Sequence, residues 1–236
     1  MKRLLALLLA LPLAALSQEM VGQLGSRDAL LVLHALQQPD DSWRVTGEYV
    51  VFPTLQRRFL EGERSPELGL TSLKEGNTQI LFGHDPIGEL RGTWRGGVFK
   101  GMRYGPGGQE RERFEFSEEF PSMAGYSATV RCQAQDGRYS SSLEFSAESG
   151  KVEAFEWRSS VQPSGHSCQL AELRQQPFDG GLQLAAGECR VTLREVGGVV
   201  KIAAEGCSAQ CGSQAYLEPM LVERRGSCRL LRPEAR

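Results

Sequence analysis

The sequence predicts an all-β protein of antiparallel meanders, closed as a barrel or packed as a sandwich. Three observations carry the prediction. Short stretches rich in β-branched and aromatic residues recur at about 8–12-residue spacing, with Gly, Pro, Asn and Asp turn signals between them. Their connections are too short for parallel crossovers, which need about a dozen residues or more. No series of segments carries the apolar period of amphipathic helices. The 236 residues are 40% hydrophobic and 24% charged, which excludes collagen-like and wholly disordered chains.

The elements follow in chain order. Residues 1–17, MKRLLALLLALPLAALS, have the three parts of a secretory signal peptide. Lys2 and Arg3 supply positive charge, Leu4 to Leu13 an apolar stretch, and Ala15 and Ser17 a small-x-small cleavage pattern before Gln18. The apolar stretch falls short of the roughly 20 residues of a spanning helix, and no Cys follows it for lipid attachment. The expected mature chain is exported, periplasmic or secreted, not inserted in a membrane, and starts near Gln18.

Residues 28–36 (DALLVLHAL) form the most apolar run, readable as a helix or a buried strand, and Gln38-Pro39-Asp40-Asp41 ends it. Strands are expected at 43–52, 57–63 and 68–73, then a turn at Lys74-Glu75-Gly76-Asn77. Further strands at 79–83, 89–95 and 98–104 are punctuated by Asp85-Pro86, Gly96-Gly97 and Gly105-Pro106-Gly107-Gly108. Residues 111–116 alternate charge with rings. The stretch 117–125, SEEFPSMAG, reads as a boundary between a cysteine-free β domain, 18–122, and a cysteine-rich one, 123–236. Either is large enough for its own core.

The second half continues the rhythm. Residues 128–135 and 138–146 face each other across Asp136-Gly137, a hairpin signal. In 152–160, Val152, Ala154 and Glu156 share one face, Phe155 and Trp157 the other. Strands at 168–173, 182–185, 189–193, 199–203, 215–217 and 228–231 complete the reading.

All six cysteines, Cys132, Cys168, Cys189, Cys207, Cys211 and Cys228, lie in this half. An even number in an exported chain predicts disulfides, and six allow about 15 pairings. A hairpin around Gly197-Gly198 brings Cys189 opposite Cys207. Sequence alone does not choose among the pairings of the other four; the expectation set beside it is Cys132–Cys168 and Cys211–Cys228. Zinc ligation by Cys207, Cys211, His166 and Cys168 fits no four-ligand spacing, and no C-x-x-C redox pair is present. No metal or cofactor is expected.

Charge excludes a nucleic-acid partner. The chain carries 27 basic and 29 acidic side chains, and no Lys/Arg run exceeds a pair. The three histidines are His34, within the apolar run, His84, beside a turn, and His166. No G-x-S-x-G elbow occurs. Carboxylates gather at Glu110, Glu112, Glu115, Glu118 and Glu119, where a pair would suit glycoside hydrolysis. The Glu/Arg alternation over 109–113 favours a solvated strand face with cross-strand ion pairs. Gly105-Pro106-Gly107-Gly108 lacks the Lys-Ser/Thr of a phosphate loop and reads as a turn. Trp94 and Phe99 read as core, with Trp94 or Tyr104 as an alternative binding face.

Two segments carry a resemblance. Cys189-Arg-Val-Thr-Leu, followed by Gly206-Cys207-Ser-Ala-Gln-Cys211-Gly212-Ser-Gln-Ala215-Tyr216, resembles the C-x3-C-G-x2-A tail of small exported bacterial β proteins, some grouped with periplasmic lysozyme inhibitors. The L-x-G-T-W segment ending at Trp94 is similar to a β module of such envelope proteins. The resemblance implies β architecture and disulfides, and transfers no functional residue. The expected function is an exported, non-enzymatic binding or inhibitory protein. It would act by occluding another envelope or extracellular protein, such as a lysozyme-like hydrolase or a toxin. The alternatives are an envelope hydrolase using the carboxylates from Glu110 to Glu119, and a structural envelope component assembling through exposed β edges.

Overall fold

A computed structural model describes residues 15–65, 67–78, 85–212, 217–223 and 225–231. The expected all-β class is what it shows. Eight strands come first: β1 (Ala15–Leu24), β2 (Arg27–Gln37), β3 (Trp43–Val51), β4 (Gln56–Arg64), β5 (Leu70–Gly76), β6 (Gly88–Arg95), β7 (Val98–Tyr104) and β8 (Arg111–Ser117). Each pairs antiparallel with the next, and β8 returns to β1, closing an up-and-down barrel. The segment expected at 79–83 lies outside the described residues.

The register sets the barrel's size. From Ala15 the pairing passes through Leu36, Arg44, Glu63, Ser72, Arg91, Met102 and Arg113, and comes back at Gly25, a stagger of ten residues along β1. A closed sheet of about eight strands leaves an interior that side chains can fill. Here Met20, Leu31, Leu60, Leu73, Leu90 and Phe114 fill its middle.

The ambiguity of residues 28–36 has a physical cause. Ala29, Leu31, Leu33 and Ala35 of β2 point into the barrel, while Leu30 points out and is covered by the second half of the chain. A strand buried on both faces loses its period-two signal.

The second half is a sandwich. One layer holds β9 (Ala128–Asp136), β10 (Tyr139–Glu148), β11 (Lys151–Val161) and β12 (His166–Leu170), in the order β12-β11-β10-β9. The other runs in sequence from β13 (Arg174–Gln176) through β14 (Leu182–Ala186), β15 (Cys189–Val196), β16 (Val199–Glu205) and β17 (Met220–Glu223) to β18 (Cys228–Leu230). A four-residue helix, α1 (Ser208–Cys211), follows β16. Val130, Phe145 and the fully buried Trp157 meet Leu184, Leu193 and Ile202 across the layers. Trp157 Nε1 donates to Ser141 Oγ at 3.3 Å, so its burial strands no donor. No helix among the described residues is long and apolar enough to cross a membrane.

Two turns show why glycine is needed. Gly137-Arg138 joins β9 to β10, with Gly137 at φ 56°. Gly197-Gly198 joins β15 to β16 with both residues at positive φ, 58° and 79°. Such two-residue loops match the twist of their strands. A bulge corrects one facing expectation: Ser146 pairs with Ala154 but Ala147 pairs with Val152, so Glu153 is the extra residue. The bulge returns Val152 to the core side with Phe155 and Trp157.

The disulfides are Cys132–Cys228, Cys168–Cys211 and Cys189–Cys207. Cys189–Cys207 joins the start of β15 to the residue after Gly206, beyond β16. The expected Cys132–Cys168 and Cys211–Cys228 are replaced, and sheet order explains why. Cys132 on β9 and Cys168 on β12 occupy opposite edges of the four-stranded layer. Three strand spacings separate those edges, about 14 Å, well beyond the Cα separation a disulfide tolerates. Each edge instead bonds outside its own sheet: β9 to β18 of the second layer with Cα atoms 5.9 Å apart, β12 to α1, which follows β16, at 4.6 Å.

The barrel and sandwich meet through side chains. Leu30, Val50 and Phe52 on the outer barrel wall pack against Val196, Val199 and Leu221. Full burial of one such side chain contributes about 1.5–3 kcal/mol. Beside them Glu19 of β1 pairs with Lys201 at 2.9 Å and with Arg194 at 3.4 Å.

Candidate functional site

The carboxylates singled out in the sequence do not converge. Glu112 on β8 points to the barrel mouth, held by Arg27 at 3.1 Å and Arg103 at 3.3 Å. Glu115 lies on the outer face, 3.7 Å from Arg113. Glu118 and Glu119 follow the far end of the strand, where their backbone amides donate to Gly97 O and Ser117 Oγ. Glu110 is exposed on the other side. Glu118 lies six positions beyond Glu112, just past the end of β8, about 20 Å along the strand direction. Carboxylates that share a glycosidic bond sit about 5–9.5 Å apart.

His34 is exposed on the outer wall of β2, and His166 is exposed at the start of β12. His84 lies outside the described residues. Trp94 is in the barrel core, with the Arg64 guanidinium 4.6 Å above its ring. Tyr104 is half-buried at the mouth between the guanidiniums of Arg91 and Arg111. The Gly105-Pro106-Gly107-Gly108 segment is a short 3-10 turn joining β7 to β8. All six cysteines are bonded to each other. No group of three His, Cys, Asp or Glu suited to a metal occurs among the described residues.

The sequence reading placed Glu75 in a turn, whereas β5 continues through it and directs its side chain into the barrel mouth. Its exposure is 0%. Arg103 grips it with two bonds, Nε–Oε2 at 2.7 Å and Nη2–Oε1 at 3.0 Å, and Arg58 approaches Oε1 at 3.3 Å. The charge-assisted bond to Glu75 holds the Arg103 guanidinium protonated beyond its usual range. Burial, reinforced by the Glu75 charge, pushes the nearby Tyr49 phenol up. This network closes one barrel end, and its satisfied bonds give it a structural role.

The outer face of the β9–β12 sheet has a different character. Cross-strand register builds two polar rows there. Gln135, Ser140, Ser160 and Ser167 form one, and Gln133, Ser142, Arg158 and Gln169 the next. Small serines on the two central strands leave a groove of about 670 Å³ over them. Ser140 Oγ and Ser160 Oγ share a hydrogen bond of 2.7 Å. One end of the groove is charged: Arg131 pairs with Glu144 at 2.5 Å and Arg158 with Glu156 at 2.5 Å. The groove itself is thus lined by hydroxyls, amides and one guanidinium, that of Arg158, with no aromatic ring. The sequence signal was the pair of serine clusters, 140–142 and 159–160, which becomes a surface only once four strands are in register.

The chain matches no protein-family model, no curated protein and no solved structure.

Proposed function

We propose that this chain is an exported binding protein whose partner is another envelope or extracellular protein, engaged through the polar outer face of the β9–β12 sheet. The observation that carries the reading is the placement of eight hydrogen-bonding side chains on a layer tied by disulfides at both edges, to β18 on one side and to α1 on the other. A face held this way loses little freedom on binding, which is the main saving open to a preorganised surface. Three disulfides are consistent with an oxidising periplasmic or extracellular compartment. The leader-like residues 1–17 and the resemblance to small exported bacterial β proteins point the same way.

In this reading the protein acts by occlusion and carries no catalytic residue. A segment rich in polar side chains or exposed backbone, such as the rim of a hydrolase cleft or a toxin loop, would lie along the serine rows. The bonded pairs Arg131–Glu144 and Arg158–Glu156 would set its polarity at one end. The test is capture of partners from envelope extract by tagged, oxidised mature protein, alongside the double variant Ser142→Arg, Ser160→Arg. One stoichiometric partner that is lost with the double variant supports the proposal. No partner, or a partner retained by the double variant, overturns it.

A further inference from the structure

We infer that Gln18 is a modification site: as the new N-terminus it closes to pyroglutamate, so the mature chain begins with a neutral lactam. The inference rests on the export reading, and three placements on β1 carry it. The first is the cleavage pattern. Ala15, Leu16 and Ser17 are all exposed and pair on one side only, with Leu36, Ala35 and His34 of β2. Pairing with β8 begins further on, at Val21. Removing residues up to Ser17 therefore trims a strand end and leaves the barrel seam intact.

The second is the amide of Gln18. The residue is half-buried opposite Leu33, and its Oε1 is shielded from water without a hydrogen-bond partner. An unbonded carbonyl loses no hydrogen bond when the side chain moves. No hydrogen bond to Oε1 holds the side chain extended against folding back on its own backbone nitrogen. The third is charge. The next residue, Glu19, already faces two cations, Lys201 at 2.9 Å and Arg194 at 3.4 Å. An ammonium at Gln18 would be a further positive charge on the residue next to that cluster. Like charge favours the neutral amine, which is the nucleophile for ring closure.

The step balances without a co-reactant. The Gln18 backbone nitrogen attacks its own Cδ, the N–Cδ bond forms and the Cδ–Nε2 bond breaks. Nε2 leaves as ammonia, carrying away a proton of the attacking amine. The lactam keeps one N–H donor, and with no preceding residue its ring meets no chain.

The experiment is intact-mass analysis and N-terminal sequencing of protein exported from the full-length gene. The expected product begins at Gln18, is lighter than the open chain by one ammonia, and resists sequencing until treated with pyroglutamyl aminopeptidase. Gln18→Ser, which preserves the small-x-small pattern, should give the same start with an open, sequenceable amine. A wild-type chain beginning at an open Gln18 overturns this inference and leaves the export reading standing. A chain still carrying residues 1–17 overturns both.

Discussion

Glu75→Gln changes one atom and removes one charge. The carboxylate it replaces is 0% exposed and accepts two bonds from Arg103 and an ionic contact from Arg58. Glutamine has nearly the same shape, so packing survives. Arg103, with 15% of its side chain exposed, then faces a neutral amide and keeps one ionic contact, Glu112 at 3.3 Å. Breaking a buried pair from one side costs about 3–5 kcal/mol, and the remaining Glu112 contact places this change at the low end of that range. That is a large share of the roughly 5–15 kcal/mol that holds a domain folded. At a slope of about 2–3 kcal/mol per molar, the urea midpoint should fall by about 1–2 M. The assay is urea unfolding of the oxidised protein followed by tryptophan fluorescence, since Trp94 lies in the same barrel core. The counterpart is Glu75→Leu with Arg103→Leu, which removes both charges at once. It should recover most of the loss, because apolar replacement of a buried pair is near neutral. Arg58 keeps Asn77 Oδ1 at 2.7 Å, and Glu112 keeps Arg27. If Glu75→Gln costs less than about 1 kcal/mol, or the leucine pair is as damaging as the single change, the network does not hold the barrel mouth in this way.

Other outcomes follow from the same geometry. Replacing Cys132 and Cys228 by alanine should cost about 4.2 kcal/mol in denaturant unfolding, because the nested Cys168–Cys211 bond shortens the closed path to the stretches 132–168 and 211–228, against about 3.2 for the 18-residue Cys189–Cys207 loop. An equal or reversed ranking would contradict a chain-entropy origin. Tyr49 should stay protonated in an alkaline absorbance titration after exposed phenols ionise near pH ~10. Its folded-state value is raised by burial and then by Glu75, so its stabilisation is complete below the unfolded value and fades as pH climbs toward the folded one. In the turn after β2, Ser42 donates to Asp40 from both its hydroxyl, at 2.6 Å, and its backbone amide, which lowers the Asp40 carboxyl. Carboxyl NMR should find Asp40 below the usual carboxylate range, rising in Ser42→Ala; an unchanged value would sink the assignment.

Local pattern was legible wherever one strand face met water. Residues 111–116 and the Gly197-Gly198 hairpin read directly from alternation and turn chemistry, and with the hairpin came Cys189–Cys207. Long-range order was not legible. The partners of Cys132 and Cys168 depend on which strands become edges, and no single segment encodes that. Glu75 looked like part of a turn because Gly76 and Asn77 follow it. The guanidiniums that stabilise its burial come from β4 and β7, far along the chain. β1 was hidden because its first residues also serve as the end of a leader-like stretch. The polar face escaped notice because serines and glutamines carry no signal until register aligns them.

The barrel seam has a consequence for the order of assembly. β1 pairs with β2 over ten positions but with β8 over only four, Val21 to Leu24. Chains are made from the N-terminus, so β1 emerges first and its second neighbour emerges last of the eight. Every other barrel contact can zip from hairpin to hairpin as the chain lengthens. The four-residue seam must wait for the whole meander and carries the largest loop-closure entropy in the barrel. Until then both outer strands present open hydrogen-bonding edges to any neighbour. The first strand made is the last to be completed, and the time between those two events is when the nascent barrel is most exposed to mispairing.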